Sequence, residues 1–230
     1  MTLQTLIFIA CVQTILSALV AFLALVKFNS REGLIKLIGV AFLLGFLANA
    51  MAFVFHELHI GTNIIYSIYD LITACVISLI FYHALSKRYG KWFFIISLCF
   101  SVFVIINLLW VQKQSIGSYN KFISSFIIIT YCIFYFYRLM IELPSTHLQR
   151  MPMFWFNSAF LIYYAGALIL FVFTSYIINV LNDNLIPYWI FHNVLNICEH
   201  FIVLIGLYYD LKNIRLGKMT NNKAYIAVEK

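Results

Sequence analysis

Ionisable and amide side chains lie inside the long apolar segments of this chain, where such groups are costly and usually mark a functional site. Asp70 follows Tyr66 by four residues, so the two side chains share one face of a predicted helix. Glu199 and His200 fall near the middle of the last apolar segment. Carboxylates, imidazoles and amides gathered in one cavity can bind a small molecule or an ion. The predicted ligand-binding residues are Asn49, Tyr66, Asp70, His192, Asn196, Glu199 and His200.

These residues predict a polar pocket between the second, third and seventh helices. Most of them fall in the half of each predicted helix that would face outward. An alternative stays open, in which Asp70, Glu199 and His200 only pair with neighbouring polar groups and hold the helices together. The same groups could also carry protons.

No catalytic residue and no cofactor is predicted, although zinc and haem are alternatives. Asp70, His192 and His200 resemble the Asp and His residues of the alkaline ceramidase and adiponectin receptor superfamily, which implies a zinc-dependent intramembrane hydrolase. The superfamily's HxxxH is replaced here by His192-x₇-His200. Eight residues turn a helix by about 800° and advance it by about 12 Å, so the two imidazoles diverge and fit one zinc ion poorly. Haem would need facing histidines, for which His56 or His59 opposite His192 is one loose pair.

Seven apolar stretches are each long enough to cross a bilayer, which takes about 20 residues. The chain is 64% hydrophobic and 10% charged, with a mean hydropathy of +0.96. Because lipid leaves no partner for free backbone groups, such runs must be helices. The sequence therefore predicts an all-α polytopic membrane protein with helices at 5–27, 34–56, 62–85, 92–111, 119–141, 154–181 and 188–210.

The basic residues predict the orientation of these helices. Of the 15 Lys and Arg residues, thirteen fall in or next to the first, third and fifth connections or in the C-terminal tail, whereas Lys113 and Lys121 fall in or next to the fourth connection. Basic residues concentrate on the cytoplasmic side of membrane proteins. The N-terminus is therefore predicted outside and the C-terminus in the cytoplasm. This distribution also explains the net charge of +7 without a nucleic-acid partner.

The predicted domain organisation is simple. Residues 1–212 form one seven-helix membrane domain, and residues 213–230 form a short basic cytoplasmic tail. The last predicted helix has no lysine before Lys212, which argues against a retinal Schiff base.

Two segments carry a resemblance to known proteins. Residues 154–166 (FWFNSAFLIYYAG) and 189–197 (WIFHNVLNI) resemble the seven-helix sensor regions that precede bacterial histidine kinase domains, and related stand-alone seven-helix proteins of unknown function. The resemblance implies a bacterial inner-membrane sensor. The chain differs from those kinases because no kinase domain follows the last helix within its 230 residues.

The predicted function is that of a non-enzymatic, receptor-like membrane sensor, which binds a small molecule or an ion in an outward-facing pocket. Its predicted partners are the lipid bilayer, an unknown small ligand or ion, and a separate cytoplasmic signalling protein. The alternatives are an intramembrane zinc-dependent hydrolase and a small solute transporter.

Overall fold

A computed structural model describes residues 3–26, 31–58, 63–85, 90–107, 118–142, 148–176 and 186–228 of the chain. Within these ranges it is all-helical, with one short 3₁₀-helix (Leu148–Arg150) and seven α-helices. The α-helices are α1 (Leu3–Leu25), α2 (Gly33–Glu57), α3 (Asn63–Ala84), α4 (Gly90–Ile106), α5 (Ser118–Glu142), α6 (Pro152–Tyr176) and α7 (Ile186–Val228).

Six of the described helices, all except α4, are long and apolar enough to cross a membrane. This is the pattern of a multi-pass membrane protein. The described part of α4 has 17 residues, and its predicted continuation over residues 108–111 lies outside the described residues. At the other extreme, α7 has 43 residues and continues well beyond its predicted end at residue 210, through most of the segment predicted as a tail.

The helices form a closed ring of six with α4 outside it. Going around the ring, α1 packs against α2, α2 against α3, α3 against α5, α5 against α6, α6 against α7, and α7 against α1. Helix α4 contacts α3 and α5 from the outer side. The ring therefore encloses a central space to which α4 does not contribute.

One half of the bundle is filled by a hydrophobic core. Most of its members come from the C-terminal halves of α1, α3 and α5, from the middle of α7 and from the N-terminal halves of α2 and α6, so α2 and α6 run antiparallel to the other four helices of the ring. They include the fully buried side chains of Val20, Ile38, Phe81, Phe156 and Val203.

Close helix contacts in this half depend on glycine. A Cβ atom on Gly39 would lie 2.8 Å from Cδ2 of Leu25, and one on Gly206 would lie 2.6 Å from Cε1 of Phe156. Small residues let the backbones of membrane helices approach closely. Gly39 and Gly206 therefore allow α2 to approach α1 and α7 to approach α6 closely.

A buried ion pair lies at the same end of the bundle. Arg31, just before α2, donates through Nη1 to Oδ2 of Asp210 on α7, and the two side chains are only 1% and 9% exposed. Arg31 Nη2 also donates to the carbonyl oxygen of Leu23 over 2.9 Å. The pair links the start of α2 to α7, and the carbonyl bond adds the end of α1 by satisfying a backbone acceptor that the end of a helix leaves open.

Candidate functional site

The other half of the ring contains a central cavity of about 1040 Å³. Its walls come from the N-terminal halves of α1, α3, α5 and α7 and from the C-terminal halves of α2 and α6. The cavity and the hydrophobic core therefore occupy opposite ends of the bundle. The N-terminus of α1 lies at the cavity end.

All seven residues that the sequence predicts as ligand-binding line this cavity: Asn49, Tyr66, Asp70, His192, Asn196, Glu199 and His200. The structure thus brings together side chains from α2, α3 and α7, as expected. The walls also include α1, α5 and α6, which were not part of the predicted pocket. That these side chains bind a ligand remains a prediction.

An ion pair joins α3 and α5 in the cavity wall. Nζ of Lys121, in the first turn of α5, is 3.9 Å from Oδ1 of Asp70, and both side chains are largely buried. The same ammonium group lies over two aromatic rings, 5.3 Å from the ring centre of Tyr66 and 5.1 Å from that of Phe171. Asp70 and both rings therefore stabilise the charge of Lys121 inside the bundle.

An aromatic box surrounds His192. The ring centres of Tyr163, Phe171 and Trp189 lie 5.7, 5.4 and 5.7 Å from that of His192. The His192 side chain is buried, and its Nδ1 atom has no hydrogen-bond partner among the described residues. A buried polar atom without a partner is uncommon in folded proteins and is a reason to look for a missing one.

Glu199 and His200 lie deeper in the cavity. Seven residues separate Glu199 from His192, which places it about 10 Å further along α7. Nδ1 of His200 bonds to the carbonyl oxygen of Asn196, and the ring packs edge-on against Phe42 with centres 5.0 Å apart. Because a carbonyl oxygen can only accept, Nδ1 carries the proton in this bond and Nε2 is an acceptor.

Two acceptors are therefore left at the bottom of the cavity. Nε2 of His200 is buried with no hydrogen-bond partner among the described residues. The carboxylate of Glu199 is also buried and forms no ion pair within the described part of the chain. It does lie within electrostatic range of the hydroxyl groups of Tyr69, Tyr163 and Tyr164.

Lys121 is the site residue that the sequence prediction missed. The sequence count assigned it to the outer connection before α5, where it served only to predict orientation, whereas the structure places it in the cavity wall. Lys121 could have been identified because a buried Asp70 needs a counter-ion. Tyr69, Tyr163 and Tyr164 also line the cavity. They were missed because tyrosine in an apolar helix usually indicates packing.

The described residues contain no group of three or more His, Cys, Asp or Glu side chains that could hold a metal ion. The side chain of His56 and residue His59, which the haem alternative requires, lie outside the part of the chain that is described.

Comparison with protein-family models, with curated protein sequences and with solved structures found no match to this chain.

Proposed function

We propose that this protein is a receptor-like sensor of a bacterial inner membrane, which binds a small ligand in the central cavity and signals to a separate cytoplasmic partner. In this proposal all seven helices cross the membrane, α4 being completed by residues beyond Ile106. The N-terminus and the cavity face outward, and the end that carries the Arg31–Asp210 pair faces the cytoplasm.

Charge distribution supports this orientation. Lys36 lies in the first turn of α2 and Lys91 in the first turn of α4. Arg138 lies near the C-terminal end of α5, Arg150 just before α6, and Lys212 on α7 two residues beyond Asp210. All of these basic residues lie at the end opposite the cavity, which the positive-inside rule assigns to the cytoplasm.

The observation that carries the ligand-binding role is the convergence of the predicted polar residues on one cavity that leaves buried acceptors unpaired. The cavity is of the size of a small-molecule site, which spans roughly 300–1,000 Å³. Its lining combines aromatic rings with a few polar groups, among them Glu199, His192 and His200, as such sites commonly do.

The continuity of α7 supports a sensor role. Glu199 and His200 face the cavity, while Asp210, on the same helix, pairs with Arg31 near the opposite face. Eleven residues separate Glu199 from Asp210, or about 16 Å of helix. A ligand that shifts α7 would therefore act on that ion pair, and the resemblance of residues 154–166 and 189–197 to kinase-linked sensor regions fits this arrangement.

The ligand-binding role is tested by comparing the full chain with its Gly45→Leu variant. A Cβ atom on Gly45 would lie 3.3 Å from the Tyr69 hydroxyl at the cavity wall, so a leucine there reduces the cavity volume. Both proteins are purified and screened for thermal stabilisation by a set of amines, alcohols, carboxylates and sugars. We expect at least one class to raise the unfolding temperature of the original protein and not that of the variant. Equal responses for every compound would contradict a ligand-binding cavity.

The signalling role is tested with the stabilising compound. We expect it to change hydrogen exchange at residues 148–150 and 207–216, near the face opposite the cavity. In proteoliposomes the same compound should bind without accumulating inside. Accumulation that is lost in Asp70→Asn would instead identify a transporter, and zinc that copurifies in equimolar amount and depends on His192 or His200 would identify the hydrolase.

A further inference from the structure

We infer that the ligand of the central cavity is an amphiphilic amine, which reaches the cavity sideways from the membrane between α1 and α2. Its ammonium group binds Glu199 and His200, and its apolar part lies in a groove along α1. This inference rests on the proposed function, since it names the ligand of the same cavity.

The charge of the cavity favours a cation. Of the described residues that line it, two are carboxylates, Asp70 and Glu199, and one is basic, Lys121. Lys121 is already engaged by Asp70 and by two aromatic rings. Glu199 therefore remains as a buried carboxylate without a basic partner in the described part of the chain, and a bound cation would compensate it.

The hydrogen-bonding groups near Glu199 favour a cation that carries N–H donors. Nε2 of His200 is an acceptor because Nδ1 donates to Asn196, and a carboxylate is an acceptor on both oxygens. An alkylammonium group offers three donors and so can serve both residues. Tyr69, Tyr163 and Tyr164 also line the cavity, and aromatic rings attract cations.

The exposed part of the cavity lining favours a ligand with an apolar tail. Most lining residues are buried or half-buried, and those that are exposed belong to α1 and α2 and are apolar. We call this strip the lateral groove; it consists of Leu3, Ile7, Cys11, Ile15, Phe53 and Val54. Since α1 and α2 are long enough to cross a membrane, the groove opens toward lipid.

The groove leads to the acceptors. From Leu3 to Ile15 it follows α1 for about 18 Å. Two residues beyond Ile15, Oγ of Ser17 donates to the carbonyl oxygen of Phe42 over 2.8 Å, and the Phe42 ring packs against His200. An amphiphile whose chain lies along the groove can therefore place its head group at the level of His200 and Glu199.

An inorganic cation and a small zwitterion fit less well. A cavity of about 1040 Å³ far exceeds the volume of a single metal ion. Lys121 lies over the ring of Phe171, which also packs against His192, whereas Glu199 lies about 10 Å further along α7 than His192. The two unlike charges therefore lie at different levels of the cavity and do not match the adjacent charges of an α-amino acid.

The first test compares three probes on the full chain in a neutral steroid detergent, which supplies neither an amine nor an alkyl chain. The probes are dodecylamine, 1-dodecanol and butylamine, and the readout is the unfolding temperature. At 100 times its dissociation constant, dodecylamine should raise this temperature by about 5–10 °C. Dodecanol and butylamine should have less than a third of that effect at the same concentration.

Two variants test whether dodecylamine raises the unfolding temperature by binding at Glu199. Glu199→Gln keeps the shape of the side chain and should remove the response to dodecylamine. Glu32→Gln, which removes an exposed carboxylate at the opposite end of the bundle, should leave the response unchanged. An equal response in Glu199→Gln would overturn the inference, because it would show that the amine acts elsewhere, for example on the detergent.

A third variant tests the groove. Ile15→Trp should obstruct the groove and reduce the dodecylamine response at least threefold while leaving the unfolding temperature without probe within about 3 °C. An unchanged response would overturn the lateral path. If dodecanol stabilises the original protein as much as the amine does, and Gly45→Leu abolishes both effects, the cavity still binds ligands but the inferred amine specificity is wrong.

Discussion

Asp70 and Lys121 form an ion pair between the N-terminal halves of α3 and α5, with 3.9 Å between the Asp70 Oδ1 and Lys121 Nζ atoms. Helix α4 lies between these two helices in the chain and packs on their outer side. The pair therefore joins α3 directly to α5 in the ring, while α4 stays outside it. It also places the Lys121 ammonium group beside Asp70, which leaves Glu199 as the cavity carboxyl group without a basic partner among the described residues.

We expect Asp70→Asn to destabilise the protein by about 1–3 kcal/mol, because it leaves the Lys121 ammonium buried without its carboxylate. Lys121→Met should cost a similar amount by leaving Asp70 unpaired. The double variant should be less destabilised than the two single effects added together, since neither charge is then left alone. Chemical denaturation of the three variants measures this coupling, and strict additivity would contradict a direct interaction.

Two glycines on the α6–α7 interface should differ in their tolerance of alanine. At Gly206 the added Cβ meets the fully buried ring of Phe156 at 2.6 Å, whereas at Gly166 it meets the far end of the half-buried Leu195 side chain at 2.6 Å. A buried ring has little room to move, so we expect Gly206→Ala to cost about 2–3 kcal/mol and Gly166→Ala about 1 kcal/mol or less. Unfolding temperatures of the matched variants check the order, and the reverse order would contradict this packing.

Much of the helical layout could be predicted from the sequence. The hydrocarbon core of a membrane requires long apolar helices, and long apolar runs are visible directly in the sequence. The predicted helices at 34–56 and 119–141 agree closely with α2 and α5. Helix α7 is different, because beyond Asp210 polar and basic residues interrupt the apolar run and the membrane no longer determines where the helix ends. The sequence pattern therefore placed the end at residue 210 while the helix reaches Val228.

The polar residues of the cavity could be predicted because burial of Asp70 or Glu199 in an apolar segment is exceptional. The identity of their neighbours could not be predicted, because it depends on which helices meet. Helix α5 joins the ring and α4 does not. Helix α5 is the more polar of the two, but this difference alone does not show which residue of another helix its Lys121 would face. As a result Lys121 was assigned to a connection, although it faces Asp70.

Gly45 and Tyr69 provide a test of how tightly the cavity wall is packed. A Cβ atom on Gly45 would lie 3.3 Å from the Tyr69 hydroxyl oxygen and 3.4 Å from Oγ of Ser17. We expect Gly45→Ala to cost about 1 kcal/mol in the original background and about half of that when Tyr69 is replaced by Phe, because the crowded hydroxyl is then gone. A double-mutant cycle measured by denaturation gives the coupling, and the same cost in both backgrounds would count against the contact.

The pair formed by Arg31 and Asp210 should be among the most important polar contacts for stability. Arg31 is almost fully buried and also donates to the carbonyl oxygens of Leu23 and Val26 at the end of α1. Among the described residues, Asp210→Ala would leave the guanidinium buried with only these carbonyl acceptors, whereas Arg31→Ala would leave the carboxylate without a donor. Breaking a buried pair on one side costs about 3–5 kcal/mol, and we expect Asp210→Ala to fall in this range.

A double variant separates the ion pair from general packing. Arg31→Met with Asp210→Leu replaces both charges by apolar groups of similar size, so we expect it to recover more than half of the stability lost in Asp210→Ala. It should not recover all of it, because Met cannot donate to the carbonyl oxygens at the end of α1. Glu32→Gln, one residue from Arg31 but exposed, is the matched control and should change the free energy of unfolding by less than about 0.5 kcal/mol. If the double variant is as unstable as Asp210→Ala, the loss arises from packing at this end of the bundle and not from an unpaired charge.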